Sequence, residues 1–202
     1  MIKDFTKFDG ARFIALARKA ISYYMHMRSM LIELSPDTRY ESKRGIFITL
    51  HSFPSMELRG CIGMPYPTKP LWQAIIESAT SAAFSDPRFP ELEASELDKI
   101  IVEISVLTEP MEINWKKKPE ELLEKIVIGK DGLIAQQGYS SGLLLPQVAP
   151  EWKWNCKEFL CNTCEKANLP GDAWRDKETR IKKFQAQIFR EKNPNSKEII
   201  ED

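Results

Sequence analysis

The sequence predicts an α+β fold: a largely antiparallel or mixed sheet flanked by helices, with a smaller subdomain. Three observations lead there. Apolar residues recur at helical spacing from Phe13 to Leu31. Two extended apolar runs flank the turn Ser52-Phe53-Pro54-Ser55, as in a hairpin. Further along, strands and helices do not alternate strictly and hairpins recur, which disfavours a doubly wound parallel sheet. With 202 residues, 43% of them hydrophobic, the chain can bury a sizeable core. One domain is expected over residues 1–190, divided into a main and a small part, with a charged flexible tail at 191–202.

Taken in order, Asp9 is placed to cap a helix starting near Gly10, with Phe13, Leu16, Ala17, Ala20, Tyr24, Met27 and Leu31 on one stripe and Pro36 ending it. Gly45–Leu50 and Met56–Ile62 form the hairpin. The strap Met64–Pro70 carries three prolines and is stiff and non-helical. Pro70 opens a second helix with a small-residue face (Ala74, Ser78, Ala79, Ala82), which stops before Pro87. Glu96–Leu107 reads as a central strand, and Pro119 opens a short helix. Ile126–Gly129 and Leu133–Ala135 read as short strands about a Lys130-Asp131-Gly132 turn, followed by an apolar run at Gly142–Leu145. Lys153–Ala167 reads as a third helix and Thr179–Phe189 as a last strand.

The chemistry-bearing stretch is Leu58-Arg59-Gly60-Cys61-Ile62-Gly63. On a strand, positions two apart share a face, so Arg59 and Cys61 lie together opposite Leu58 and Ile62. A guanidinium beside a thiol favours the thiolate, and Gly60 and Gly63 let backbone or ligand approach closely. From the residues alone a packed, inert cysteine and a strand crossing are the better fit, since unpaired cysteines often pack as small hydrophobes. Asp86, Arg88 and Phe89 sit in a sharp turn and complete the candidate ligand-binding set of Arg59, Gly60, Cys61, Gly63, Asp86, Arg88 and Phe89, although a turn aspartate commonly bonds nearby backbone.

Other patterns weaken on inspection. Gly138-Tyr139-Ser140-Ser141-Gly142 fits G-x-S-x-G, but a strand and Pro146 follow it, and both histidines, His26 and His51, lie upstream. Cys156, Cys161 and Cys164 match part of an iron–sulfur spacing, with Cys61 as a conceivable fourth ligand, yet they fall in a helical pattern; no metal and no cofactor is expected. No phosphate-cradling glycine motif occurs. Lysine plus arginine equals aspartate plus glutamate at 29 each, which argues against bulk capture of nucleic acid or of a membrane surface. The start Met1-Ile2-Lys3-Asp4-Phe5 lacks the apolar core of a signal peptide, and four cysteines in a chain of this length point to a reducing, cytoplasmic setting.

Leu58–Gly63 resembles the hallmark of the AMMECR family. Gly45–Thr49, Ser81–Phe89, Gly129–Leu133, Leu144–Ala149, and Trp154 with Lys166-Ala167 of the following helix are similar, in order, to further pieces of it. Asp131 stands where the family often has histidine before the second glycine of its turn, so no role of that histidine carries over. The resemblance implies a two-part α+β domain around an antiparallel sheet and no established enzymatic activity. It also implies MEMO-type and radical-SAM proteins as partners, because prokaryotic members tend to be encoded with or fused to them. Two functions follow as expectations. One is a binding or scaffold component working through Leu58–Gly63. The other is a thiol-dependent enzyme or enzyme subunit in which Cys61 is the nucleophile and Arg59 holds an anionic group of the substrate.

Overall fold

The computed structural model describes residues 4–201; the expectation for Met1–Lys3, and the last position of the predicted tail, lie outside them. The fold is α+β with two antiparallel sheets. Two compact units result, one made of residues 4–107 with 187–201 and the other of Thr108–Ala186.

In the first unit the sheet has five strands. They are β1 (Gly45–Ser52), β2 (Glu57–Met64), β3 (Ile100–Leu107), β8 (Ala186–Glu191) and β9 (Ile199–Glu201), in the order β2-β1-β3-β8-β9. Helices α1 (Lys7–Met27) and α2 (Leu71–Phe84) cover one face. Ile46, Ile48 and Leu50 of β1 and Val102, Ile104 and Val106 of β3 join Phe13, Ala17, Ile75 and Ala79 in that core. All eight residues of β3 are buried, which accounts for its near-continuous apolar content.

The helix boundaries shift from those predicted. Thr6, not Asp9, is the N-cap; Asp9 is the third helical residue and returns a bond to the Thr6 N–H, closing a capping box. The helix ends at Met27 because Arg28 turns left-handed (φ 50°), so Leu31 belongs to the following segment and Pro36 terminates nothing. The residues predicted as a flexible tail are partly structured: Ile199–Glu201 pairs with β8, and Glu191 is buried.

The second unit holds β4 (Met111–Ile113), β5 (Gly132–Gln137), β6 (Ser140–Leu144) and β7 (Arg180–Phe184), in the order β4-β7-β5-β6. Helix α3 (Val148–Glu151) is a single turn, and α4 (Cys156–Lys166) is capped by Asn155 and lies against β5 and β6. Leu133, Ala135, Phe159, Leu160, Cys164 and Trp174 belong to its separate core. Ile126–Gly129 forms no strand; the hairpin is β5–β6, turning at Gly138 with φ 58°. The G-x-S-x-G stretch is therefore a turn entering a strand. The predicted last strand is two, since β7 and β8 belong to different sheets.

Candidate functional site

Register fixes what Leu58–Gly63 presents. Cys61 lies opposite Thr49 and Gly60 opposite Leu50, with an irregularity between Leu50 and His51. The room left by the glycines is already used. A Cβ on Gly60 would strike the carbonyl oxygen of Ala82 in α2, and one on Gly63 would strike Phe47 and the Ile46 carbonyl. Gly60 thus lets α2 settle on the strand rather than admitting a ligand.

Arg59 and Cys61 do not act as a pair. The Arg59 side chain is buried, and its fork is occupied by Glu96, with Nε to Oε1 at 2.7 Å and Nη2 to Oε2 at 2.9 Å. The remaining donors reach the carbonyls of Pro90, at 3.0 Å, and Glu91, at 3.3 Å. Bidentate geometry is the strong form of this contact, and the Arg59 bond holds the Glu96 carboxyl below its ordinary range. Glu96 also accepts from the Glu93 N–H, so Arg59 pins the whole 90–96 loop.

Asp86 and Arg88 hold the outer edge of β2. Asp86, buried, accepts the Cys61 N–H at 2.8 Å, the Arg88 N–H at 3.1 Å, and Arg88 Nε and Nη2 at 2.9 and 2.7 Å. Arg88 Nη2 then donates to the Cys61 carbonyl at 3.2 Å. Both backbone groups of Cys61 that point away from β1 are satisfied in this way, which caps an edge strand that would otherwise offer a pairing template. The Arg88 bonds, followed by the Cys61 N–H, depress the Asp86 pKa well below the carboxylate range. The Arg88 side chain stays half exposed, its guanidinium 5.5 Å from the Phe89 ring centre.

The Cys61 thiol is partly buried, and burial pushes its pKa up; the Thr49 hydroxyl, 3.3 Å away, and the Arg88 charge pull it down by less. The guanidinium that acts on the sulfur is therefore that of Arg88. Among the described residues no group of three or more His, Cys, Asp and Glu side chains is arranged to hold a metal ion.

The AMMECR1 family model matches residues 14–189. This chain belongs to the AMMECR1 family. Protein MJ0810 of Methanocaldococcus jannaschii is 47% identical over 193 residues, covering 96% of this chain and 94% of that protein. A protein of Methanothermobacter thermautotrophicus is 49% identical over 187 residues, covering 91% and 94%. Among solved structures, the crystal structure of uncharacterized protein PH0010 from Pyrococcus horikoshii is similar at a TM-score of 0.89 and 44% identity, covering 96% of each chain.

In this AMMECR1 protein, Cys61, Asp86, Arg88 and Phe89 come together, while Arg59 faces the 90–96 loop. Sequence reasoning missed a polar row across the sheet. Thr49 stands between Cys61 and Glu103 in register, and Glu103 lies 3.5 Å from Arg190 and 3.8 Å from His51 Nε2. Burial lowers the His51 pKa and favours the neutral ring. The signal was there: Glu103 is a lone charge in a fully buried strand, and such a residue needs partners. The Glu96 partner of Arg59 left no local trace.

Proposed function

We propose that this AMMECR1-family chain is a cytoplasmic binding or scaffold component that acts with MEMO-type and radical-SAM proteins through the surface built on Leu58–Gly63. The supporting observation is the internal commitment of the motif's polar groups. Arg59 is held by Glu96 and two carbonyls, and Asp86 is held by Cys61 and Arg88. Such a network fixes a shape rather than freeing reactive groups. What it presents outward is Arg88 over Phe89, and Leu58 of the same motif is 40% exposed. An arginine over an aromatic ring has the chemistry of an interface anchor, to which an exposed leucine can add apolar area. A small anionic ligand would meet Arg88 here rather than Arg59.

The alternative, a thiol-dependent enzyme using Cys61 with Arg59 on an anionic group, has less support. It needs a thiolate, which burial opposes, and an unengaged Arg59.

The test is capture of purified MEMO-type and radical-SAM proteins by the immobilised chain. Leu58→Asp and Arg88→Gln should each weaken capture by about tenfold, the loss of one good anchor, while Cys61→Ser retains it. Wild-type affinity in both surface variants, with their folds intact by circular dichroism, rejects the reading.

A further inference from the structure

After α1 the chain runs outside any regular element from Met30 to Ser35, and residues 30–35 line a groove with Pro70, Trp72 and Gln73 at the start of α2. Its side chains alternate. Leu31 is buried, whereas Ile32 and Leu34 are 94% and 90% exposed, and Met27 and Met30 just before them are 60% and 41% exposed. Scattered apolar side chains on a surface are ordinary; four within eight residues are a patch.

Three further facts point to an occupant. Among the described residues, none gives the backbone of Ile32–Leu34 a hydrogen bond, so its backbone donors and acceptors stand unpaired. A groove of about 310 Å³ lies beside it, with Leu31, Pro70 and Ile76 among its apolar walls. Trp72, only 6% exposed, lines the same groove. The charge is one-sided: Glu33, Glu41 and Glu77 line the groove and no lysine or arginine does. Lys19 and Lys69 already hold Glu33 and Glu77, and Glu41 makes no ion pair among the described residues.

We propose that this segment and groove receive an extended segment of a partner protein, with apolar side chains alternating with lysine or arginine. The partner's backbone pairs with Ile32–Leu34, in the manner of strand addition. An apolar side chain enters between Leu31, Pro70 and Ile76, and a cationic side chain meets Glu41. This surface is separate from the Cys61 strand and does not depend on the function proposed for it.

The test uses the full chain and three fluorescein-labelled heptapeptides: one alternating lysine with valine, one alternating glutamate with valine, and the lysine peptide N-methylated on one backbone edge. Anisotropy should show the lysine peptide binding about tenfold or more tighter than either of the others. The Ile32→Asp/Leu34→Asp double variant, altered only at exposed side chains, should lose that binding with its circular dichroism unchanged. Glu41→Lys should weaken the lysine peptide and strengthen the glutamate one. Amides of residues 31–34 should gain exchange protection when the lysine peptide binds. Equal affinity for the acidic and basic peptides, retention by the N-methylated peptide, an unaffected double variant, or no binding at millimolar peptide overturns the proposal. So does a dimer in sedimentation that the double variant dissolves, for then the occupant is a second copy of this chain.

Discussion

Cys61 carries a thiol whose proton is held by its surroundings: partial burial withholds water from the thiolate, and the nearest cation, Arg88, is already committed to Asp86. Iodoacetamide should therefore alkylate Cys61 with a rate that keeps rising through the ordinary thiol range near pH ~8.5. Arg88→Gln should move the profile further up, and Glu103→Gln should move it down by removing a like charge. A rate plateau reached below neutrality would restore the nucleophile. Asp86 makes a second residue-scale prediction. Its folded pKa lies below the unfolded value of about 3.9. Its contribution to stability is thus present above that pH and is lost progressively as pH falls from there towards the depressed folded value. Asp86→Asn should lower Tm at neutrality and flatten the fall in Tm between pH ~5 and ~2, a window that Asp9, also depressed, will keep from becoming level. An unchanged Tm–pH curve rejects the clamp. Residue composition made Leu58–Gly63 visible in the sequence. The choice of Glu96 over Cys61 as the neighbour of the Arg59 fork was not legible, because Glu96 lies 37 positions on and its approach depends on the path of the 86–96 loop.

At the scale of elements, legibility followed periodicity. The stripes of α1 and α2 and the alternation in β1 were clear because each element buries one face. The short pieces were misread. Ile126–Ile128 has strand composition but no partner strand, and β9 has only Ile199 and Ile200 amid charges, so only its pairing with β8 defines it. Glu191 marks the boundary where composition misleads. Assigned by charge to a flexible tail, it accepts Arg18 Nε and Nη2 at 2.6 and 2.7 Å and the Val102 N–H at 2.9 Å, joining α1, β3 and β8. Glu191→Ala removes all three contacts, leaves a largely buried guanidinium unpaired, and should cost about 3 kcal/mol by urea unfolding. A Lys192→Ala control, on an exposed pair with Glu198, should change stability by under about 0.5 kcal/mol. Equal effects of the two would place Glu191 in the tail after all.

Across the whole molecule, the described residues hold two separate hydrophobic cores, and among them the chain passes between the units at 107/108 and 186/187. The sequence hinted at two parts but not at the interleaving, because an insertion between paired strands leaves no compositional seam. The ends of the second unit are tied to each other: the Thr108 N–H donates to the Gln185 carbonyl and the Gln185 N–H to the Thr108 hydroxyl, both at 2.9 Å. A segment with joined ends and its own buried Phe159, Leu160 and Trp174 meets the conditions for independent folding. Its 79 residues, 108 to 186 inclusive, place it near the lower size limit at which one core suffices without a staple. The excised segment Thr108–Ala186 should therefore unfold cooperatively in urea, with a smaller m value than the intact chain because it exposes less surface. In the complementary variant, a short Gly/Ser loop joins Leu107 to Gln187, which sheet order permits because β3 and β8 are neighbours. That variant should keep the near-ultraviolet dichroism expected of packed Tyr40 and Trp72, whose rings stack at 5.7 Å. Non-cooperative melting of the excised segment, together with loss of that signal in the looped chain, would mean that neither core is self-sufficient and that the molecule folds only as one piece.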